Sequence, residues 1–203
     1  MDLNQVTIIK RKIKYPRLEL KTGTPVLILP QNEKIDPMMI IVKHQKWLEQ
    51  KIEFIENLKK KYKNRKIFQR SEEDLVNIVA SSIEKYSTIL GGRPAKVRFR
   101  YMKTKWGSCS RKRRINFNLK LKYLPPSLVR YIVFHEMTHL IVPNHSESFW
   151  FYVKKEFKNP KQYEEMLFGY WFLINSQNYK NPSKMCCLNL FKGESVNLWK
   201  RQL

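Results

Sequence analysis

Two histidines four residues apart, with a glutamate beside the first, are the residues here whose types and spacing specify a chemistry: His135-Glu136-Met137-Thr138-His139. On a helix, residues four apart share a face, so both imidazoles can reach one ion. Imidazole nitrogen is a neutral, borderline-soft donor that suits zinc in a roughly tetrahedral array. Glu136 is one residue round from the first histidine. It can take a proton from a metal-bound water without being a ligand itself. This is the H-E-x-x-H pattern of zinc hydrolases.

A catalytic zinc site needs a third protein ligand and an open position for water. His145 is the leading candidate, because Pro143-Asn144 should turn the chain and bring it back towards the helix end. Glu156, Glu164 and Glu165 on the following helices are the rivals. His44, the remaining histidine, falls among Lys43, Gln45 and Lys46 and is expected to be a solvated helix residue.

The elements that must position these groups can be read from periodicity and punctuation. VTIIK, RLELK and PVLILP in the first thirty residues are short β-rich runs, broken by Tyr15-Pro16 and Thr22-Gly23-Thr24. Asp36-Pro37 signals a helix start, and Ile41, Leu48, Ile52 and Ile55 continue it as one long amphipathic helix. Ser71 with Glu72, Glu73 and Asp74 opens a second helix, which Gly91-Gly92 ends. KVRFRYM (96–102) and RRINFNL (113–119) alternate as strands, with WGSCS and a basic run between them. Pro125-Pro126 opens the helix that carries the histidine pair, and Pro143 is expected to end it. Ser146 can cap a further helix, residues 160–175 look helical, and the tail from about 176 is assigned no structure. Strands, helices, a short sheet and again helices make an α+β pattern.

Composition sets the remaining bounds. With 42% hydrophobic residues, the 203-residue chain can build a sizeable core and does not have the composition of a disordered protein. The formal charge is +23, from 40 basic and 17 acidic residues. Such a surface is either drawn to nucleic acid or another polyanion, or simply basic and solvated. The runs KRKIK (10–14), KKKYKNRK (59–66) and RKRR (111–114) are its densest parts, with Phe99, Tyr101 and Trp106 near the last. Three cysteines, Cys109, Cys186 and Cys187, make no disulfide framework. Cys109 is expected to be a small core residue, and the adjacent pair to be free thiols. The N-terminal stretch has no signal-peptide core and no apolar run is long enough to span a bilayer, so a cytoplasmic protein is expected.

The W-G-S-C-S block can form one wall of a substrate cleft, with Trp106, Gly107 and Ser108 as its residues. Gly107 would permit a tight bend or a close backbone approach. A structural turn over the core is the alternative. Phe149, Trp150, Phe151, Phe157, Tyr170 and Trp171 are aromatic stripes expected to pack between helices.

Taken together, Lys105-Trp106-Gly107-Ser108-Cys109-Ser110, Ile115-Asn116, Leu124-Pro125-Pro126, Val133 to Leu140 and Asn144-His145-Ser146-Glu147-Ser148-Phe149-Trp150 resemble the YgjP-like metallopeptidase domain family. Tyr15-Pro16-Arg17-Leu18, Leu29-Pro30 and Lys46-Trp47-Leu48 extend the resemblance over roughly residues 5–158. The resemblance implies a zincin-like fold, with N-terminal strands, long helices, a small sheet and an HExxH active-site helix. It implies one Zn2+ per chain on His135, His139 and His145, with Glu136 as catalytic acid and base. The family also looks related to the SprT/Spartan proteases, which cut proteins crosslinked to DNA.

The expected organisation is a strand region over 1–35, a catalytic core over 36–158 that forms one domain with those strands, and a C-terminal helical extension and tail over 159–203. The expected activity is zinc-dependent hydrolysis of a peptide or protein, with nucleic acid a possible further partner and no membrane. A different class of reading is a DNA-associated zinc protein: either a crosslink protease, or a binding module whose metal is closed by a fourth ligand such as Cys109 or a downstream glutamate.

Overall fold

The computed structural model describes residues 6–20, 23–32 and 34–176. Cys186, Cys187 and the tail of the C-terminal extension lie outside the described residues. The described chain divides into two compact units. One runs to Arg65 and resumes at Phe168, and the other is Lys66–Leu167.

In the first unit, β1 (Thr7–Arg11), β2 (Arg17–Glu19) and β3 (Val26–Pro30) form a three-stranded sheet in the order β1-β3-β2. β1 is parallel to β3, with Thr7 opposite Val26, and β2 is antiparallel to it, with Leu18 opposite Leu27. The next segment forms two helices, α1 (Pro37–Lys43) and α2 (Gln45–Tyr62), where the apolar spacing predicts one. Asp36 caps α1 as expected, its carboxylate accepting from the Met38 amide at 2.9 Å. The break falls at His44, whose backbone (φ −108°, ψ 11°) leaves the helical region. No proline or glycine marks it, and the apolar spacing continues across it. Leu27, Leu29, Ile41 and Leu48 bury together with Val6 as the core of this unit.

The second unit begins with α3 (Glu72–Leu90), whose start and stop are both set locally. Ser71 accepts from the Asp74 amide while the Asp74 carboxylate accepts from the Ser71 amide, a reciprocal capping box. Gly91 ends the helix in the left-handed region (φ 65°) that favours glycine. A second small sheet follows: β4 (Lys96–Arg100), β5 (Gly107–Cys109) and β6 (Arg114–Asn118), in the order β4-β6-β5. β4 and β6 are parallel, and β5 runs antiparallel to β6, with Gly107 opposite Phe117. The WGSCS block therefore contributes an edge strand rather than only a connection.

A short 3-10 helix (Leu119–Tyr123) leads into α4 (Pro126–Thr138). α5 (Glu147–Glu156) and α6 (Pro160–Ser176) follow. α3 packs on α4 through Tyr86 and Phe134, whose rings meet edge to face at 4.9 Å. Val79, Ile83, Phe99, Ile115, Phe117, Met137 and Val153 are all buried, so α4 is held from the sheet and from the other helices of its unit. The architecture is α+β, as the order of elements predicts.

Candidate metal centre

α4 carries His135 and Glu136 on its last turn, and His139 is its C-cap. The helix stops at Thr138, earlier than Pro143 alone would require. Leu140, Ile141 and Val142 continue an apolar pattern but form a series of turns, with the amides of both Ile141 and Val142 bonded to the Thr138 carbonyl. Those turns bring His145 back over the helix end. The Nε2 atoms of His135 and His145 lie 3.0 Å apart. One ring nitrogen from each of His135, His139 and His145 lies within 4.8 Å of the others. Among the described residues this is the group of potential ligands that can hold a metal.

Phe149 forms the packing surface behind the three rings. It is 0% exposed, and its centroid lies 4.9 Å from that of His135 and 4.7 Å from those of His139 and His145. His139 is oriented further by its Nδ1, which donates to the Val142 carbonyl at 3.1 Å. That bond fixes the tautomer and leaves Nε2 with its lone pair free, the arrangement a ligating histidine needs. Burial, followed by repulsion from His139 and His145, lowers the His135 pKa to about 3. Burial lowers that of His139 as well. Two of the three imidazoles are thus held as neutral donors.

The donor set fits zinc. Ligand nitrogens at tetrahedral zinc, with bonds of about 2.0–2.1 Å, stand about 3.3 Å apart. That value is close to the 3.0 Å between His135 and His145 Nε2 and inside the 4.8 Å within which all three nitrogens lie.

Glu136 is 7% exposed, and burial raises its carboxyl to about 8 against an opposing pull from Lys105. Its close neighbour is β5. A Cβ placed on Gly107 would lie 2.5 Å from Oε1, 2.6 Å from Cγ and 2.8 Å from Cδ of Glu136. The glycine is therefore explained by close approach to this side chain, which the sequence leaves unspecified. The loop leading into β5 is pinned by Asn118, which is 0% exposed. Its amide nitrogen donates to the carbonyls of Met102 (2.8 Å) and Lys105 (2.7 Å), and its backbone amide donates to Trp106 O at 2.8 Å.

The histidines and Glu136 open onto a cleft of about 750 Å3, whose lining also includes Lys105, Gly107, Ser108, Cys109, Arg111 and Arg113. Trp106 faces a smaller neighbouring cavity of about 230 Å3, together with Tyr131, Ile132, Glu164 and Leu167. Cys109, expected in the core, is only half-buried at the cleft wall. Its thiol is pushed up to about 11 by burial and then by Glu136, so it stays protonated.

Of the rival ligands, Glu156 pairs with Lys85 at 2.6 Å. Glu164 accepts a 3.4 Å hydrogen bond from the Tyr131 hydroxyl. Tyr131 borders the smaller cavity, while Tyr152 packs edge to face on Phe151. His44 is exposed at the junction of α1 and α2.

A buried carboxyl beside three convergent imidazoles in an open cleft defines a metal-site hydrolase as a class. Residues 57–168 match the YgjP-like, metallopeptidase domain family. The chain belongs to that family, which makes it a metal-dependent hydrolase of the metallopeptidase class. Among solved structures, it is similar to the metallopeptidase zymogen of Pyrococcus abyssi abylysin, at 30% identity over 51% of this chain and 97% of that one, with a TM-score of 0.42. No curated protein matches the sequence. Among the described residues, no helix is long and apolar enough to cross a membrane.

Proposed function

We propose that the protein is a zinc-dependent peptidase with Glu136 as its general base and acid. One observation carries this reading: three histidine nitrogens converge beside a buried carboxyl at the floor of a cleft large enough for an extended peptide. Zinc held by His135, His139 and His145 would supply Lewis acidity, acidifying water and polarising a carbonyl.

The chain's own residues account for the rest. Glu136 accepts the proton of the attacking water at its carboxylate. It then passes that proton to the leaving amine. Gly107 leaves the space in which the carboxyl sits, and β5, at the sheet edge, can pair with an extended substrate. Among the described residues, the histidine group includes neither Cys109 nor a downstream glutamate, which favours an open catalytic position over a closed structural site.

The test is Glu136→Gln in the zinc-loaded protein. The expected result is a fall of about 10²–10⁴-fold in peptide hydrolysis, with zinc content unchanged. Undiminished turnover in that variant sinks the mechanism.

A further inference from the structure

Three cations line the cleft onto which the histidines open: Lys105, Arg111 and Arg113. Among the described residues, the carboxylate lining the same cleft is that of Glu136, which is buried. Among the described residues, none of the three cations forms an ion pair. Two of them are fixed by the backbone around them. Arg113 sits at the β5–β6 turn with φ 54°, and its guanidinium donates to the Arg93 carbonyl at 2.9 and 3.3 Å. Lys105 is carried on the loop that Asn118 pins. Unpaired positive charge along a concave wall concentrates anions, and guanidinium groups bind carboxylates with directional hydrogen bonds.

Nucleic acid is the other polyanion such a wall could attract. Single strands are held by bases stacked on aromatic side chains. Among the described residues lining the cleft, the aromatic rings are those of the three histidines, and Trp106 borders the smaller cavity that shares His135 and Glu136 with it. We propose that the site selects acidic polypeptide segments, with Asp or Glu flanking the scissile bond read by Lys105, Arg111 and Arg113. This inference rests on the peptidase reading above.

The experiment uses the zinc-loaded full chain and three labelled peptides of equal length, identical at the scissile bond and flanked by Glu, Gln or Lys. The expected order of kcat/KM is Glu, then Gln, then Lys, with about tenfold or more between Glu and Gln at low salt and a narrower gap at high salt. Arg111→Glu should shrink or invert the Glu/Gln ratio, with metal content and melting temperature serving as controls for folding. Equal cleavage of the Glu and Gln peptides overturns the inference and leaves the peptidase reading standing. Cleavage of none of them overturns the peptidase reading. Fluorescence anisotropy of the same peptides then decides the inference alone, equal affinities for Glu and Gln refuting it. Competition by oligodeoxythymidylate that exceeds that of the Glu peptide also overturns it, in favour of nucleic acid.

Discussion

Replacing Gly107 with alanine probes the contact that sets the position of Glu136. The new methyl would lie 2.5–2.8 Å from three atoms of the glutamate side chain, whereas ordinary contact begins near 3.4 Å. The carboxyl must therefore retreat by about 0.6–0.9 Å, the difference between those distances. A misplacement of about 1 Å in a catalytic group costs about 10²-fold in rate. Gly107→Ala should thus lower kcat on a peptide substrate by about 10²-fold. Zinc content should stay the same, because all three histidines lie outside β5. Overpacking should also cost about 1–3 kcal/mol of stability, seen in chemical denaturation. Ser108→Ala, on the same wall, serves as the control and should change kcat little. Full activity in Gly107→Ala, with zinc bound and the fold intact, would refute the reasoning that this glycine makes room for a working Glu136 carboxyl.

Phe149→Ala removes the ring that all three imidazoles pack against. It should destabilise the protein by about 3–5 kcal/mol and weaken zinc binding in a chelator competition. Unchanged zinc affinity would show that the imidazoles are positioned without it. In metal-free protein, the buried Glu136 holds its proton to about pH 8 when folded, against about 4.5 for the ordinary value. Its contribution to stability is therefore complete below about pH 4.5 and lost as pH rises towards 8. His135 works in the opposite sense. With its pKa lowered to about 3 from 6.5, it costs stability in acid and recovers it as pH rises to 6.5. Urea denaturation of the metal-free parent and Glu136→Gln should therefore give stabilities that diverge in favour of the variant between pH 6.5 and 8. Parallel curves over that range would contradict a burial-raised carboxyl.

The convergence of the three histidines was legible in the sequence because its geometry is local. His135 and His139 are related by helical spacing, and His145 by one turn marked by Pro143-Asn144. The helix boundaries at Asp36, Ser71 and Gly91 were legible for the same reason: caps act over three or four residues. What stayed hidden depends on long-range register. β5 is three residues of glycine, serine and cysteine, with little intrinsic strand preference, and it exists because β6 pairs with it. The match of Gly107 to Glu136 needs that pairing and the packing of α4 together. Phe149 read as one more core aromatic, since its contact with all three imidazoles follows from how α5 returns past His145. The early end of α4 was obscured by Leu140, Ile141 and Val142, whose apolar pattern suits a helix and a buried turn equally.

His135, His139 and His145 are proposed to hold one zinc together beside Glu136. Anomalous diffraction recorded on both sides of the zinc absorption edge, from crystals of the zinc-loaded protein, tests it most directly. A single strong peak is expected between the three imidazoles, about 2.0–2.1 Å from one nitrogen of each, and it should vanish in crystals of His145→Ala. A peak on Cys109 or Glu164, or one that survives His145→Ala with full occupancy, would contradict it.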